Sequence, residues 1–171
     1  GPAGAADTPD PALLETLRIR LTEAPRCAPE CARLAVGELR IDGDRLTLAL
    51  DVHAAERVLV PLPLDDSSLT EVALRIDGAA APLFGNGDSA AVWVASERGV
   101  HRLTLEARVR GDRVALDFRM PPTRLTVVAP GWTAAGLRDG RLLAERLELV
   151  REAASEALDA DAPARVPVKP F

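Results

Sequence analysis

The chain has 171 residues, of which 47% are hydrophobic, enough for one sizeable core and, by its length, for a single domain. Lys and Arg total 21 against 26 for Asp and Glu, giving a formal charge of −5 and a pI near 5.1. This balance excludes the cationic surface that drives nonspecific nucleic-acid binding. Charged residues interrupt every apolar stretch well short of the roughly 20 residues that a membrane-spanning helix needs. The fragment itself therefore does not cross a bilayer.

The amino terminus predicts an unstructured lead followed by a helix. Gly1-Pro2 resembles the scar left by protease cleavage of a tag, and residues 1–9 are small, acidic or proline, which predicts disorder. Asp10 can cap a helix and Pro11 suits its first turn. A stripe with helical spacing follows, formed by Leu14, Leu17 and Leu21. We expect a short helix that ends near Ala24 and packs over the edge or end of a sheet.

From Ala32 the apolar residues alternate, which is typical of strands with one buried face. Strands are predicted near 32–41, 45–53, 57–62, 69–76, 90–95, 103–110, 114–120, 124–129 and 142–150. Tight hairpins are predicted at Asp42-Gly43-Asp44 and at Gly111-Asp112. The close spacing of about nine strands favours a mainly β fold, an antiparallel β-sandwich of jelly-roll or immunoglobulin-like type with a short N-terminal helix. We assign residues 10–151 to this domain and 152–171 to a helical, Pro-rich linker to a following region.

Cys27 and Cys31 are the two cysteines, spaced C-x3-C between the predicted helix and the first strand. A redox pair of thioredoxin type has two intervening residues, and a zinc site needs two further ligands. Free thiols, metal binding and redox chemistry remain alternatives, but a structural disulfide fits best. A disulfide in turn indicates an oxidising compartment such as the periplasm.

No group of residues in the sequence indicates a chemistry, so we predict no catalytic residue, no metal ligand and no cofactor. His53 and His101 lack a convincing partner, and no serine stands in a nucleophile-elbow context. Aspartates in predicted turns are favoured there by their backbone hydrogen bonds, with a calcium site as the alternative.

Two tryptophans stand out in a chain with only 3% aromatic residues. Trp93 lies in an apolar run, Ala91-Val-Trp-Val-Ala95, which favours a place in the core. Trp132 follows Pro130-Gly131 and is the better candidate for a partly exposed ring. Both are candidate ligand-binding residues that could stack on a sugar.

The order of several segments resembles a known family. These segments are Cys27-Ala-Pro-Glu-Cys31, Ile41-Asp-Gly-Asp-Arg-Leu-Thr-Leu48, Gly99-Val-His-Arg-Leu-Thr-Leu105, Ala129-Pro-Gly-Trp132 and Val168-Lys-Pro-Phe171. Together they resemble a periplasmic β-sandwich segment of large, poorly characterised, membrane-anchored envelope proteins of proteobacteria, over roughly residues 10–171. The resemblance implies a periplasmic location and a membrane-anchored parent chain, and it supplies no substrate and no catalytic residue.

Three functional hypotheses follow from the sequence. The first is a noncatalytic module of a bacterial cell-envelope protein that acts as a spacer or protein-interaction domain. The second is a carbohydrate-binding module that stacks Trp132 or Trp93 on an envelope glycan. The third is an enzyme, which would require a pocket that holds His53 or His101 with a carboxylate. The expected partners are accordingly a protein or an envelope glycan, and not a nucleic acid.

Overall fold

The computed structural model describes residues 10–22, 30–64, 68–85 and 91–152. This part of the chain is mainly β, with a single helix α1 (Pro11–Thr22). The strands are β1 (Ala32–Asp42), β2 (Arg45–Ala54), β3 (Val58–Leu62), β4 (Leu69–Ile76), β5 (Ala79–Ala80), β6 (Phe84–Gly85), β7 (Val92–Ser96), β8 (Gly99–Val109), β9 (Arg113–Asp117), β10 (Arg124–Val128), β11 (Trp132–Ala135), β12 (Leu137–Arg138), β13 (Arg141–Leu142) and β14 (Arg146–Arg151).

The large sheet has six strands in the order β10-β1-β2-β8-β4-β5. Adjacent strands within this sheet run antiparallel, except for β1 and β10, which run parallel. The predicted hairpin between β1 and β2 is confirmed: Asp42 pairs with Arg45, and Gly43 adopts a φ of 62° in the turn. Glycine suits this position because it has no Cβ to clash in the left-handed region.

Three smaller sheets complete the described part of the chain: the small sheet β3-β7-β6, the back sheet β11-β14-β9 and the two-stranded β12-β13. One hydrophobic core joins side chains of the large, small and back sheets. Its fully buried members include Leu48 from the large sheet, Val60 from the small sheet and Leu147 from the back sheet. Each alternating strand thus turns its apolar face toward this core, which confirms the predicted sandwich-like, mainly β architecture.

The predicted hairpin at Gly111-Asp112 is wrong. Strand β8 lies between β2 and β4 in the large sheet, so both of its edges are already paired. The chain therefore leaves the large sheet after Val109, and β9 pairs with β14 in the back sheet instead. The predicted strand 142–150 is likewise divided into the short β13 and the longer β14, and there are more strands in the described residues than the nine expected.

Helix α1 forms as predicted but does not pack as predicted. The Asp10 side chain accepts a hydrogen bond from the backbone N–H of Ala12 at 3.0 Å, as a helix cap does. The stripe residues Leu14, Leu17 and Leu21 nevertheless remain exposed by 49%, 47% and 84%, so the described residues show no sheet packed against this stripe. The lead at 1–9 and residues 153–171 of the predicted linker lie outside the described residues.

Candidate functional site

The small sheet is apolar on both of its faces. Its inner face supplies Val60, Leu62 and Val94 to the core, where they are almost completely buried. The register pairs Leu59 with Ala95, Pro61 with Trp93, and Trp93 with Phe84, and paired residues in a sheet point to the same side. The outer face of this sheet is therefore built from leucine, proline, alanine and aromatic side chains.

This outer face contains two shallow depressions that adjoin each other. One has a volume of about 540 Å³ and is lined by Leu59, Leu83, Phe84, Gly85 and Trp93. The other, of about 450 Å³, is lined by Arg57, Val58, Leu59, Phe84 and Ala95. Because they share Leu59 and Phe84, the two depressions form one continuous surface. We call the surface of Leu59, Leu83, Phe84, Trp93 and Ala95 the apolar face.

The outer face of the large sheet has the opposite character. There the outward side chains are arginines and carboxylates joined across strands, at 3.3 Å for Arg45–Glu106 and 2.8 Å for Arg102–Asp51. Arg108 reaches Asp44 at 2.7 Å. Such exposed ion pairs are typical of a surface that stays in water. The apolar face differs because its strands carry the continuous hydrophobic runs that mark a sheet covered on both sides.

The structure reverses the exposures expected for the two tryptophans. Trp132, expected to be the more exposed ring, is only 7% exposed, and the guanidinium carbon of Arg151 lies 4.5 Å from its ring centroid. This arrangement is a cation–π contact that covers the ring. Trp93, expected in the core, is only partly buried and lines the apolar face. The two rings lie in different sheets, so the structure does not bring them together in one site.

His101 has a partner that the sequence did not reveal. Its Nδ1 atom lies 2.7 Å from Oδ2 of Asp77, and its Nε2 atom lies 3.4 Å from the carbonyl oxygen of Arg98. The other Asp77 oxygen accepts the backbone N–H of Arg102 at 2.8 Å. The hydrogen bond to Asp77 raises the pKa of His101, while the Arg102 N–H, followed by His101, lowers the pKa of Asp77. The pair ties the turn after β4 to the start of β8.

His53 lies apart from this pair, in a cleft of about 440 Å³ where β1, β2 and β8 meet. Glu30, Cys31 and Arg33 also line that cleft. Cys31 is not a free thiol, whereas Cys27 lies outside the described residues. The Cys27–Cys31 disulfide therefore stays a prediction.

Among the residues that the structure describes, no group of three or more His, Cys, Asp and Glu side chains is placed to hold a metal ion. Nor does any helix in those ranges have the length and apolar character needed to cross a membrane.

No protein-family model matches the chain, and no curated protein matches it. Among solved structures, the M1 zinc metallopeptidase from Deinococcus radiodurans matches with 17% identity and a TM-score of 0.41, over 71% of this chain and 38% of that one. Native yeast LTA4 hydrolase matches with 10% identity and a TM-score of 0.40, over 80% of this chain and 30% of that one. The chain thus spans well under half the length of either structure.

These matches contradict the hypothesis of a spacer or protein-interaction module of an envelope protein. The solved structures that resemble the chain include a zinc metallopeptidase and a hydrolase. The same matches also contradict the carbohydrate-binding alternative. At these identities and TM-scores the likeness assigns no activity and no substrate to the chain.

Proposed function

We propose that this chain is a non-catalytic β domain of a larger enzyme, and that its apolar face packs against another layer of the same polypeptide. The likeness to a zinc metallopeptidase and a hydrolase suggests only that the parent protein is an enzyme, because the TM-scores are low. The packing rests on one observation, the apolar outer face of the small sheet.

The exposure of this face argues for a cover. Leu59 is 51% exposed and Phe84 is 47% exposed, and both lie beside the partly exposed ring of Trp93. Contiguous apolar patches on a soluble protein usually mark a contact with another surface. Burying the remaining area of each large side chain would stabilise the assembly by roughly 1 kcal/mol. Covering the whole face therefore favours a packed arrangement over an open one.

The aromatic residues suit a packing role more than a binding role. Phe84 pairs directly with Trp93 across β6 and β7, and β7 is held between β3 and β6. Both rings are thus fixed on a sheet whose other side is part of the core. Rigid aromatic side chains contribute large buried areas to contacts at small cost in conformational entropy.

A charge placed in the apolar face tests this proposal. In the complete polypeptide that carries this chain, Phe84→Glu should lower the Tm by about 5 °C or more, because an unpaired carboxylate would be buried. The matched control is Leu143→Glu, at a leucine that is 61% exposed and outside the apolar face. We expect that control to change the Tm little. Equal shifts for the two variants would contradict the proposal.

A further inference from the structure

We propose that the layer covering the apolar face is α1, the helix of this same chain. This inference rests on the proposed function, because it names the cover that the proposed packing requires. Three observations support it: the exposed stripe on α1, the number of residues that connect α1 to β1, and the match between the two surfaces.

Helix α1 carries an apolar stripe that the described part of the chain leaves exposed. Leu13, Leu14, Leu17 and Leu21 lie within one side of the helix at spacings of three and four residues, and each is about half exposed or more. A helix of 12 residues is too short to be stable in water on its own. Its stability must come from packing the stripe against another surface.

The apolar face is within reach of α1. The carbonyl oxygen of Cys31 accepts a hydrogen bond from the backbone N–H of Ala55 at 2.8 Å, which holds the start of β1 beside the end of β2. Arg57, two residues beyond Ala55, lines the second depression of the apolar face. The eight steps from Thr22 to Glu30 can span up to about 28 Å. The chain can therefore return α1 to this surface without disturbing any strand.

The two surfaces also agree in size and chemistry. Helix α1 is about 18 Å long at 1.5 Å per residue, and the five residues of β3 extend about 17 Å. The leucine stripe of α1 and the apolar face both lack charged side chains. At the rim of the face, Arg57 is already paired with Glu97 at 3.2 Å. A leucine stripe would thus meet leucine and aromatic side chains, with the charges left in water.

Iodide quenching of Trp93 tests the docking of α1. In a Trp132→Phe background, Trp93 is the only tryptophan of the chain. We expect weak quenching in the intact chain and a several-fold larger quenching constant in the Leu14→Glu, Leu17→Glu double variant. Ile19→Glu is the matched control, because Ile19 is 53% exposed on the opposite side of the helix. That control should quench as weakly as the intact chain.

A second variant and three other outcomes make the test decisive. A chain that lacks residues 1–22 should show the same strong quenching as the double variant. If iodide quenches Trp93 equally strongly in the intact chain and in both altered chains, but weakly in the complete polypeptide, α1 is not the cover and the proposed function stands. If Trp93 is open to iodide in the intact chain and in the complete polypeptide, both proposals fail. If dilution removes the shielding, the helix comes from a second copy, and docking within one chain is overturned.

Discussion

At the scale of single residues, the most constrained backbone position described is Gly136. Its φ is 93°, and a Cβ atom built there would collide with the backbone carbonyl of Arg146 at the start of β14. Gly43 shares the positive φ, at 62°, but a Cβ atom there would meet nothing within 4 Å. A comparison of substitutions at Gly43 and Gly136 therefore separates the cost of a positive φ from the cost of a steric clash.

Replacing each glycine by alanine should show this difference. Gly43→Ala should cost about 1 to 2 kcal/mol, because the left-handed region disfavours a Cβ. Gly136→Ala should cost roughly 1 to 3 kcal/mol more, because β14 must also shift to accommodate the methyl group. Urea denaturation of both variants measures the free energies of unfolding. Similar losses for the two would show that the contact with Arg146 relaxes freely.

Local sequence patterns predicted caps and turns better than they predicted which side chains are buried. The Asp10 cap and the turn at Gly43 follow from local backbone chemistry, so the sequence indicates them directly. The exposures of Trp93 and Trp132 depend on which sheet lies against each ring. No local pattern contains that information for Trp132. For Trp93 the apolar run of its strand indicates a sheet covered on both faces, whereas the structure leaves this ring partly exposed on the apolar face.

At the scale of elements, strand positions could be predicted and strand partners could not. The alternation of apolar residues predicted β4 and most of β8, since a half-buried strand imposes a period of two. Which strands pair with each other depends on which sheet edges are free. Strand β8 has both edges occupied, so the turn at Gly111 leads to another sheet, although the same turn chemistry produces a hairpin at Gly43. The His101–Asp77 pair was missed for the same reason.

That pair joins two elements and should make stability depend on pH. Asp77 raises the pKa of His101, so the stabilisation is complete below the ordinary histidine value of 6.5 and is lost as the pH rises through the higher native value. The pKa of Asp77 is lowered from 3.8, so its contribution is lost only as the pH falls through a still lower value. The pair therefore stabilises the fold most between about pH 4 and pH 6.5.

Urea midpoints of the parent chain and of His101→Gln should converge as the pH rises. The parent should exceed the variant clearly at pH 5.5, and by less at pH 8.5, because the neutral ring no longer pairs with the carboxylate. His53→Gln is the control, and it should keep the pH dependence of the parent because it retains the pair. A constant difference between parent and His101→Gln across this range would exclude the mechanism.

At the scale of the whole molecule, we propose that the two exposed apolar surfaces pack against each other. The large sheet turns charged side chains outward, whereas the apolar face and the leucine stripe of α1 are both exposed and apolar. Composition and periodicity predicted a mainly β sandwich, since they report which face of each strand is buried. They did not predict that one sheet needs a cover on its outer side. That conclusion needed the register of β3, β6 and β7.

Hydroxyl-radical footprinting of the complete polypeptide tests the central claim, that the apolar face is covered, most directly. We expect oxidation of Leu59, Phe84 and Trp93 to be strongly suppressed, because the covering layer excludes the radical. Val100 and Leu143, which are 67% and 61% exposed outside that face, should be oxidised readily in the same sample. Oxidation of Phe84 and Trp93 as rapid as that of Val100 and Leu143 would show an open face and contradict the account.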